Sequence, residues 1–343
     1  MKYEVTIGIP LFNAVEYIRD TLGSALSQSF DSIEYLIVDD CGDDGSIDVV
    51  SCMQREHFRG GDIRILHNGK NRGVSYSRNR IIDEARGKYL YFLDSDDKIE
   101  ADAIQKLHAA IVRNQAEVVY ASYDIVDVER HSAREVYQKD DIYLDGFDKL
   151  AEYVFRYNNK FQVMACNSLI NLAFLRQSGI RFYDTQYWED MVFTYELALK
   201  VNQAVLLSDI TYHYLRRFGS LSHFQKRETF HKDEIQNNIR VIGYLKNKCQ
   251  QLLGRNSLPY LCYNLEMNSF YIDCHILKHT CRITPSFTNQ ELRVVLSHPL
   301  SLGEILKFQH VLLPNVALWF LGKLPLPFFK PAIWLLGKLR KAI

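Results

Sequence analysis

The sequence has no C-x-x-C pair. Its seven cysteines, at 41, 52, 166, 249, 262, 274 and 281, are odd in number and carry no metal-binding spacing. This argues against a disulfide framework or a structural zinc site and favours a reducing, cytosolic compartment. Net charge is also missing: 41 Lys and Arg balance 41 Asp and Glu, which disfavours a nucleic-acid partner. No Gly-x-Gly-x-x-Gly follows the first apolar run and no Gly-Lys-Ser/Thr loop occurs anywhere. A dinucleotide oxidoreductase and a P-loop NTPase are both weakened. The N-terminal apolar run is cut by Pro10 and reads as a first strand, not a signal peptide. There is no internal repeat and no low-complexity tract. What remains is ordinary globular material, 343 residues at 47% hydrophobic and 24% charged. That length suits one large domain with an appendage, or two domains.

The most informative stretch is Lys88 to Asp97. Tyr89 to Leu93 is a continuous apolar and aromatic run of strand length, as for a strand buried on both faces of a parallel sheet. It breaks directly into three carboxylates within four residues, Asp94, Asp96 and Asp97. An Asp-x-Asp at the carboxyl end of a buried strand offers hard oxygens where open α/β sheets bind ligands. Two such carboxylates suit a divalent cation that keeps waters and shares its other positions with phosphates. The alternative is a solvated turn leading into a helix cap.

The preceding chain repeats the pattern. Strand-like runs at Tyr3–Ile9, Ile33–Val38 and Ile63–Leu66 alternate with helical periodicity. Helices are predicted after Asn13, from Ser46 as a cap to about Phe58, and from about Val74 to Ala85. This is β-α-β-α-β-α-β with short connections, so a parallel, doubly wound α/β sheet is expected. Four polar strand ends then share one edge: Pro10–Asn13, Asp39–Asp44, His67–Arg72 and Asp94–Asp97.

Further on, Ala101–Arg113 reads as a helix and Val118–Val128 as one or two strands. Residues 129–145 are charged and expected to be irregular. A strand is predicted near 163–170, a loop from Gly179 to Trp188, then a helix opened by Glu189 and Asp190. Tyr212–Arg217 is a basic, aromatic strand, and 225–281 is mostly helical by pattern. The expected division is a catalytic domain at 1–220, a helical region at 221–305 and a basic amphipathic tail at 306–343.

Without a phosphate-cradling loop, a metal held by Asp94 and Asp96 is the natural way to neutralise a diphosphate leaving group. Asp39 or Asp40 can accept hydrogen bonds from a base N–H or a ribose hydroxyl, or be solvated turn carboxylates. A transferase also needs a base to activate its acceptor. Asp190, beside Trp188, is the candidate, although acidic residues favour helix N-termini for dipole reasons alone. Trp188, Glu189, Arg216 and Arg217 are candidates for acceptor or phosphate contacts, surface arginines being the plainer alternative for the last two.

These motifs resemble the inverting glycosyltransferases of family 2 with the GT-A fold, of the non-processive bacterial type. The resemblance rests on Pro10-Leu-Phe-Asn13, Val38-Asp39-Asp40 with Asp44-Gly-Ser46, Asn71-Arg-Gly73 with Arg78-Asn79, Leu93-Asp94-Ser-Asp-Asp97 and Trp188-Glu-Asp190. It covers roughly residues 3–220. It implies transfer of a sugar from a nucleotide donor, most often a UDP-sugar, to an acceptor hydroxyl with inversion. By that resemblance Pro10 and Phe12 line the nucleotide pocket and Asp40 contacts the base. Asp94 contacts ribose or metal, Asp96 ligates Mg²⁺ or Mn²⁺, and Asp190 is the base. Asn13, Asp39, Asn71, Arg78 and Ser95 complete the donor-binding set. The chain departs from the family's usual pattern at Phe12, where Tyr is commoner, and at Cys41-Gly42, where Gly-Ser is commoner. The Gln-x-x-Arg-Trp signature of processive synthases is absent, which predicts one sugar added per encounter.

No acidic residue follows Glu304, whereas Lys307, Lys323, Lys330, Lys338, Arg340 and Lys341 are basic. Tryptophans, phenylalanines and leucines lie between them, and the longest uncharged run, Val311 to Gly322, is too short to span a bilayer. Short amphipathic helices of this kind fit the membrane interface, so residues 311–343 are expected at the inner face of the cell membrane. The acceptor is then expected to be a saccharide or a lipid-linked one, in cell-surface polysaccharide synthesis. Packing of the tail on the protein, or a dimer contact, is the alternative. Two other classes compete: a sugar-nucleotide pyrophosphorylase, which needs a Gly-rich, Arg-containing loop where Pro10–Asn13 stands, and a non-catalytic membrane-associated scaffold.

Overall fold

Buried apolar runs become the centre of a sheet, as their composition requires. A computed structural model describes residues 2–127, 134–157, 161, 163–185, 187–216 and 229–341. In chain order its elements are β1 (Tyr3–Leu11), α1 (Ile18–Leu26), β2 (Ile33–Asp39), α2 (Ser46–Glu56), β3 (Ile63–His67), α3 (Val74–Glu84), β4 (Gly87–Phe92), β5 (Lys98–Ile99), α4 (Ala103–Arg113), β6 (Val118–Asp127), β7 (Arg134–Tyr137), β8 (Ile142–Asp145), α5 (Lys149–Arg156), β9 (Ser168–Asn171), α6 (Leu172–Gln177), α7 (Glu189–Lys200) and β10 (Gln203–Arg216). There follow β11 (Phe230–His231), α8 (Lys232–Lys248), α9 (Leu258–Lys278), β12 (Ile283–Thr284), α10 (Asn289–Val295), α11 (Leu302–Ile305), α12 (Leu312–Lys323) and α13 (Leu326–Leu339). The chain divides into two compact units. One comprises Met1–Leu150, Gln162–Asp184 and Glu189–Leu221; the other comprises Ala151–Phe161, Thr185–Trp188 and Ser222–Ile343.

In the first unit the sheet order is β3-β2-β1-β4-β9-β6-β10-β5. Strands β1 to β4 are mutually parallel, in a register that sets Leu11, Asp39 and His67 side by side at the carboxyl edge. Strand β9 runs antiparallel to both β4 and β6, so the sheet is mostly, not wholly, parallel. The ladder between β1 and β4 ends near Gly8 and Phe92, where Leu93 N–H reaches the Gly8 carbonyl. Gly8 therefore faces β4, and by strand alternation so does Pro10, one step beyond the ladder. Proline sits inside β1 there without removing any sheet hydrogen bond.

Gly8 also lets α3 approach: a Cβ placed on it would lie 2.3 Å from Cγ2 of Ile81. That closeness holds the second turn of α3, with Arg78, against the strand ends.

Two expectations are corrected. Residues 129–145 are not irregular throughout: Arg134–Tyr137 pairs with β6 and Ile142–Asp145 with β10. Both are short strands lying off the main path of the sheet, whose polar residues hide the alternation. Ser46 does not cap α2 either. It is the first helical residue, preceded by Gly45 at φ +84°, and its hydroxyl accepts the Ala14 N–H at 2.8 Å and donates to Asp44. Asp44 in turn accepts the Val15 and Ser46 N–H groups, at 2.8 and 2.9 Å. The Asp44-Gly-Ser46 turn is thus a clamp on the loop after β1.

The second unit is helical, apart from the short parallel pair β11 and β12. Helix α9 is buried on nearly all sides, as expected of a helix apolar around most of its circumference. Among its few buried charges, Glu266 pairs with Lys246 of α8 at 2.6 Å. Helix α13 turns Phe329, Ile333 and Gly337 inward, a stripe of four-residue spacing, and α12 buries Asn315, Leu318 and Leu321. The Asn315 amide donates to the Pro259 carbonyl at the start of α9, at 3.1 Å. Within this unit the tail packs on α9 by one face only. Leu313, Phe320, Phe328, Trp334, Leu335 and Leu339 stay exposed. Among the described residues no helix is long and apolar enough to cross a membrane.

Candidate active site

Arg78, only 3% exposed, is the centre of the site. Its Nη2 donates to Oδ1 of Asp94 at 2.8 Å, and its Nη1 donates to Oε1 of Glu189 at 2.9 Å and Oδ1 of Asp190 at 2.8 Å. A guanidinium presents a planar fork of donors and suits such shared recognition better than an ammonium. Burial opposes its charge, but Asp190, Asp94 and Glu189 together hold it protonated well above the ordinary arginine range. Asn79, the next residue, exchanges two hydrogen bonds with the Phe182 backbone, at 2.9 and 2.8 Å. This sets the Phe182 ring 5.2 Å from the guanidinium, within cation–π range.

Three carboxylates against one cation leave negative charge in excess. Asp190 bears the consequence: burial raises its pKa, Arg78 opposes, Glu189 and Asp94 add to the rise, and the Ala165 N–H opposes. The outcome is a carboxyl pushed up to about 7. Its side chain is still 23% exposed, so an acceptor hydroxyl can reach it. Glu189 and Asp190 occupy the first turn of α7, where the helix dipole favours anions. Trp188, the residue before them, has φ +65°, a conformation that bulky residues rarely hold without a structural demand.

Asp94 and Asp96 lie on the turn after β4, closed by the Asp97 N–H on the Asp94 carbonyl at 3.3 Å. Arg78 takes one oxygen of Asp94 and both aspartates are part-exposed. Among the described residues no third His, Cys, Asp or Glu joins them in a cluster fit to hold a metal by itself. Two hard carboxylates within one turn still fit a cation that keeps waters and takes substrate phosphate oxygens as its other ligands. The Ser95 carbonyl accepts from the Thr21 hydroxyl at 3.1 Å.

Asp97 is part of the support beneath the site. It is buried, and accepts from the Tyr212 hydroxyl at 2.5 Å and the Leu215 N–H at 2.8 Å, tying the turn to β10. Burial and the Asp94 charge push its pKa up to about 8, against those two hydrogen bonds. Both Asp97 and Asp190 hold protons more tightly folded than unfolded, where Asp titrates near 3.8. Their contribution to stability is therefore complete at acid pH and lost as pH rises through about 7 and about 8. Thermal unfolding of the metal-free protein should show a midpoint that falls from about pH 5 to about pH 8.5. Asp97→Asn should flatten that fall; an unchanged slope would exclude Asp97 as its source.

The other strand ends are built as follows. Asp40 is buried and accepts from Asn68 Nδ2, Arg72 N–H and Gly73 N–H, at 2.7, 2.9 and 2.8 Å. It shapes the loop after β3 from beneath. Asn71 accepts the Gly73 N–H at 3.1 Å in the same loop. Asp39 accepts the Cys41 N–H at 3.1 Å and lies 2.8 Å from Nδ1 of the exposed His67. Asn13, at φ +45°, accepts the Asp43 N–H at 3.0 Å, and any side chain at Gly42 would collide with it. The Gly at 42 is thus required by the close passage of two loops. Phe12 beyond Pro10 is 46% exposed at the same edge.

The structure brings Arg78, Asp94, Glu189 and Asp190 into one cluster, with Asp96 on the same turn as Asp94. It does not bring Arg216 there: that guanidinium pairs with Glu135 of β7, at 3.0 Å. Arg217 lies outside the described residues. His67 stands at one of the four polar strand ends expected at this edge, whereas the parts played by Asp97 and Tyr212, and the place of Cys166, were not legible in the sequence. Cys166 is fully buried, with its thiol pushed well above the ordinary range by burial and by Asp94. Asp97 was visible as the third carboxylate of its run; nothing in the sequence marks Cys166.

The mostly parallel sheet with its helices has the GT-A-type fold, as the comparisons with known proteins show. The chain belongs to glycosyl transferase family 2, whose model matches residues 6–179, and it is a glycosyltransferase. It is 33% identical over 122 residues to the teichuronic acid biosynthesis glycosyltransferase TuaG of Bacillus subtilis, covering 36% of this chain and 47% of that protein. To the cholesterol galactosyltransferase of Borreliella burgdorferi it is 24% identical over 283 residues, covering 79% of this chain and 76% of that one. The crystal structure of residues 1–349 of S. aureus TarS superposes with TM-score 0.66 at 15% identity, over 93% of this chain and 90% of that one. TarS has also been solved with UDP-GlcNAc. Family membership displaces the pyrophosphorylase reading.

Proposed function

We propose that the protein moves one sugar at a time from a UDP-sugar to an acceptor hydroxyl, with inversion. The acceptor is a saccharide or lipid-linked saccharide of cell-surface polysaccharide synthesis. The observation that carries this is Arg78: one buried guanidinium binds both Asp94, beside the donor-side Asp96, and Asp190, at acceptor-side exposure. Donor and acceptor machinery are thereby held in a fixed relation before any ligand arrives. The UDP preference follows the UDP-GlcNAc complex of TarS.

In this reading Phe12 offers an exposed aromatic face to the base, and Asp39 or Asp40 meets the base or ribose, with Pro10, Asn13, Asn71 and Ser95 around them. Asp94 and Asp96 hold Mg²⁺ or Mn²⁺, which when bound stabilises negative charge on the departing diphosphate. Asp190 takes the acceptor hydroxyl proton. The acceptor oxygen forms its bond to the anomeric carbon as that carbon's bond to phosphate oxygen breaks, and the electron pair leaves with the nucleoside diphosphate. Attack from the face opposite the leaving group inverts the anomeric centre. Glu189 keeps Arg78 charge-compensated through the step. Trp188 is the candidate for an acceptor contact, while Arg216 is committed to Glu135. The tail, 311–343, rests on an anionic membrane surface through its basic and exposed apolar residues, at the cytoplasmic face.

The test is a donor panel. Incubation with UDP-glucose, UDP-galactose, UDP-N-acetylglucosamine and GDP-mannose, with Mn²⁺, should release UDP from a uridine donor and little GDP. Release from GDP-mannose alone would overturn the nucleotide assignment.

A further inference from the structure

Helices α9, α12 and α13 of the second unit enclose a cleft of about 460 Å³, within the range of small-molecule sites. Its walls are apolar: Met267 and Phe270 from α9, Leu318 and Leu321 from α12, Leu336 from α13. One charged side chain lines it, Arg340. Arg340 is exposed, lies against the Met267 sulfur at 3.8 Å, and has its charge favoured by the neighbouring Tyr263 and Tyr271 side chains. It has no carboxylate partner among the described residues. Exposed Phe320 and Leu336 stand among the lining residues, and Phe328, Trp334, Leu335 and Leu339 are exposed on the same helices.

We propose that this cleft takes one hydrocarbon chain of an anionic phospholipid, with the lipid phosphate on Arg340. Arginine with phenol neighbours and no carboxylate offers its fork to a phosphate oxygen pair. An apolar slot opening beside a single cation matches an amphiphile that is apolar at one end and anionic at the other. The inference rests on the reading that the tail faces a membrane but goes beyond it. Surface adsorption needs only scattered cations and apolar side chains, whereas the cleft makes a stoichiometric site for one chain.

Binding of octyl, decyl and dodecyl phosphate below their micellar concentrations is measured on the full chain by calorimetry, with inorganic phosphate and decanol as controls. Flotation with phosphatidylcholine vesicles, with and without phosphatidylglycerol, is measured in parallel. Expected is one site that tightens by up to about fourfold per added methylene, no detectable binding of inorganic phosphate, and weaker binding of decanol. Ala317→Trp, which fills the cleft from an exposed position, should abolish alkyl phosphate binding while leaving flotation intact. Arg340→Gln should reduce alkyl phosphate binding to that of decanol. Because Arg340 is exposed, this variant reports even if the tryptophan variant misfolds. Flotation without alkyl phosphate binding would overturn the cleft and leave the membrane reading standing; absence of both would overturn both. A dimer broken by Ala317→Trp, with no alkyl phosphate bound, would assign the cleft to a second copy of the chain and overturn the proposal.

Discussion

Asp190→Asn is expected to lower kcat by about 10²–10⁴-fold, the usual contribution of a general base, while donor affinity changes little. The structural reason for this separation lies in Arg78. Asn at 190 keeps nearly the same shape and its amide oxygen still accepts from Nη1. Asp94 and Glu189 continue to balance the guanidinium charge, so the donor-side aspartates stay in place. What disappears is a part-exposed carboxyl whose pKa stands near neutrality, at about 7. As the proposed base, Asp190 works when deprotonated, so kcat/KM should climb with pH through about 7 and level off above it. That ascending limb should vanish from the residual activity of Asp190→Asn. Equal losses in kcat and in donor affinity would instead place Asp190 in the donor pocket.

Arg78→Leu should have the largest effect on stability. It leaves Asp94, Glu189 and Asp190 buried or half-buried without their shared counter-charge. Breaking a buried ion pair from one side costs about 3–5 kcal/mol. The loss should be greatest at alkaline pH and shrink as pH falls, because protonation removes the repulsion that the mutation exposes. Arg78→Lys keeps a positive charge but not the fork, so it should be intermediate in stability. Since Arg78 is what pulls the Asp190 pKa down, its activity limb should lie at higher pH than that of wild type. Denaturant unfolding at two pH values separates these outcomes. If Arg78→Leu were as stable as wild type at pH 8, the guanidinium could not be holding the cluster.

How much of this was readable beforehand differs by feature. Strands β1, β2 and β4 were, because a strand buried on both faces is a largely apolar run that needs no partner to be recognised, whereas β3, at the end of the sheet and only partly buried, was legible from its isoleucines and leucine alone. Their polar ends were readable for the same reason: the composition changes abruptly where the sheet stops. Strands β7 and β8 were not, since short strands off the main path of a sheet carry polar residues on the side that faces water. Pro10 was taken as the end of β1, yet it lies inside it, and only the length of the β4 ladder explains why. The helix cap assigned to Ser46 failed because Gly45 turns the chain through a left-handed conformation and frees the hydroxyl for Ala14.

The site divides along the same line. Asp94, Asp96 and Asp190 could be named from their places at a strand end and a helix start. That one arginine joins Asp94 to Asp190 could not, because Arg78 is 16 residues from Asp94 and 112 from Asp190. Such pairings are made by the fold. Arg216 illustrates the converse, a cation in a suggestive strand that the sheet delivers to Glu135 instead.

Asp94 and Asp96, the carboxylates after β4, are the proposed donor site. Isothermal titration of UDP into the wild-type protein and into Asp96→Ala, each with Mn²⁺ and with chelator, tests that assignment most directly. Binding by wild type should require the metal, and Asp96→Ala should bind weakly and equally under both conditions. Tight UDP binding by wild type in chelator, or an Asp96→Ala variant that keeps the full metal effect, would contradict it.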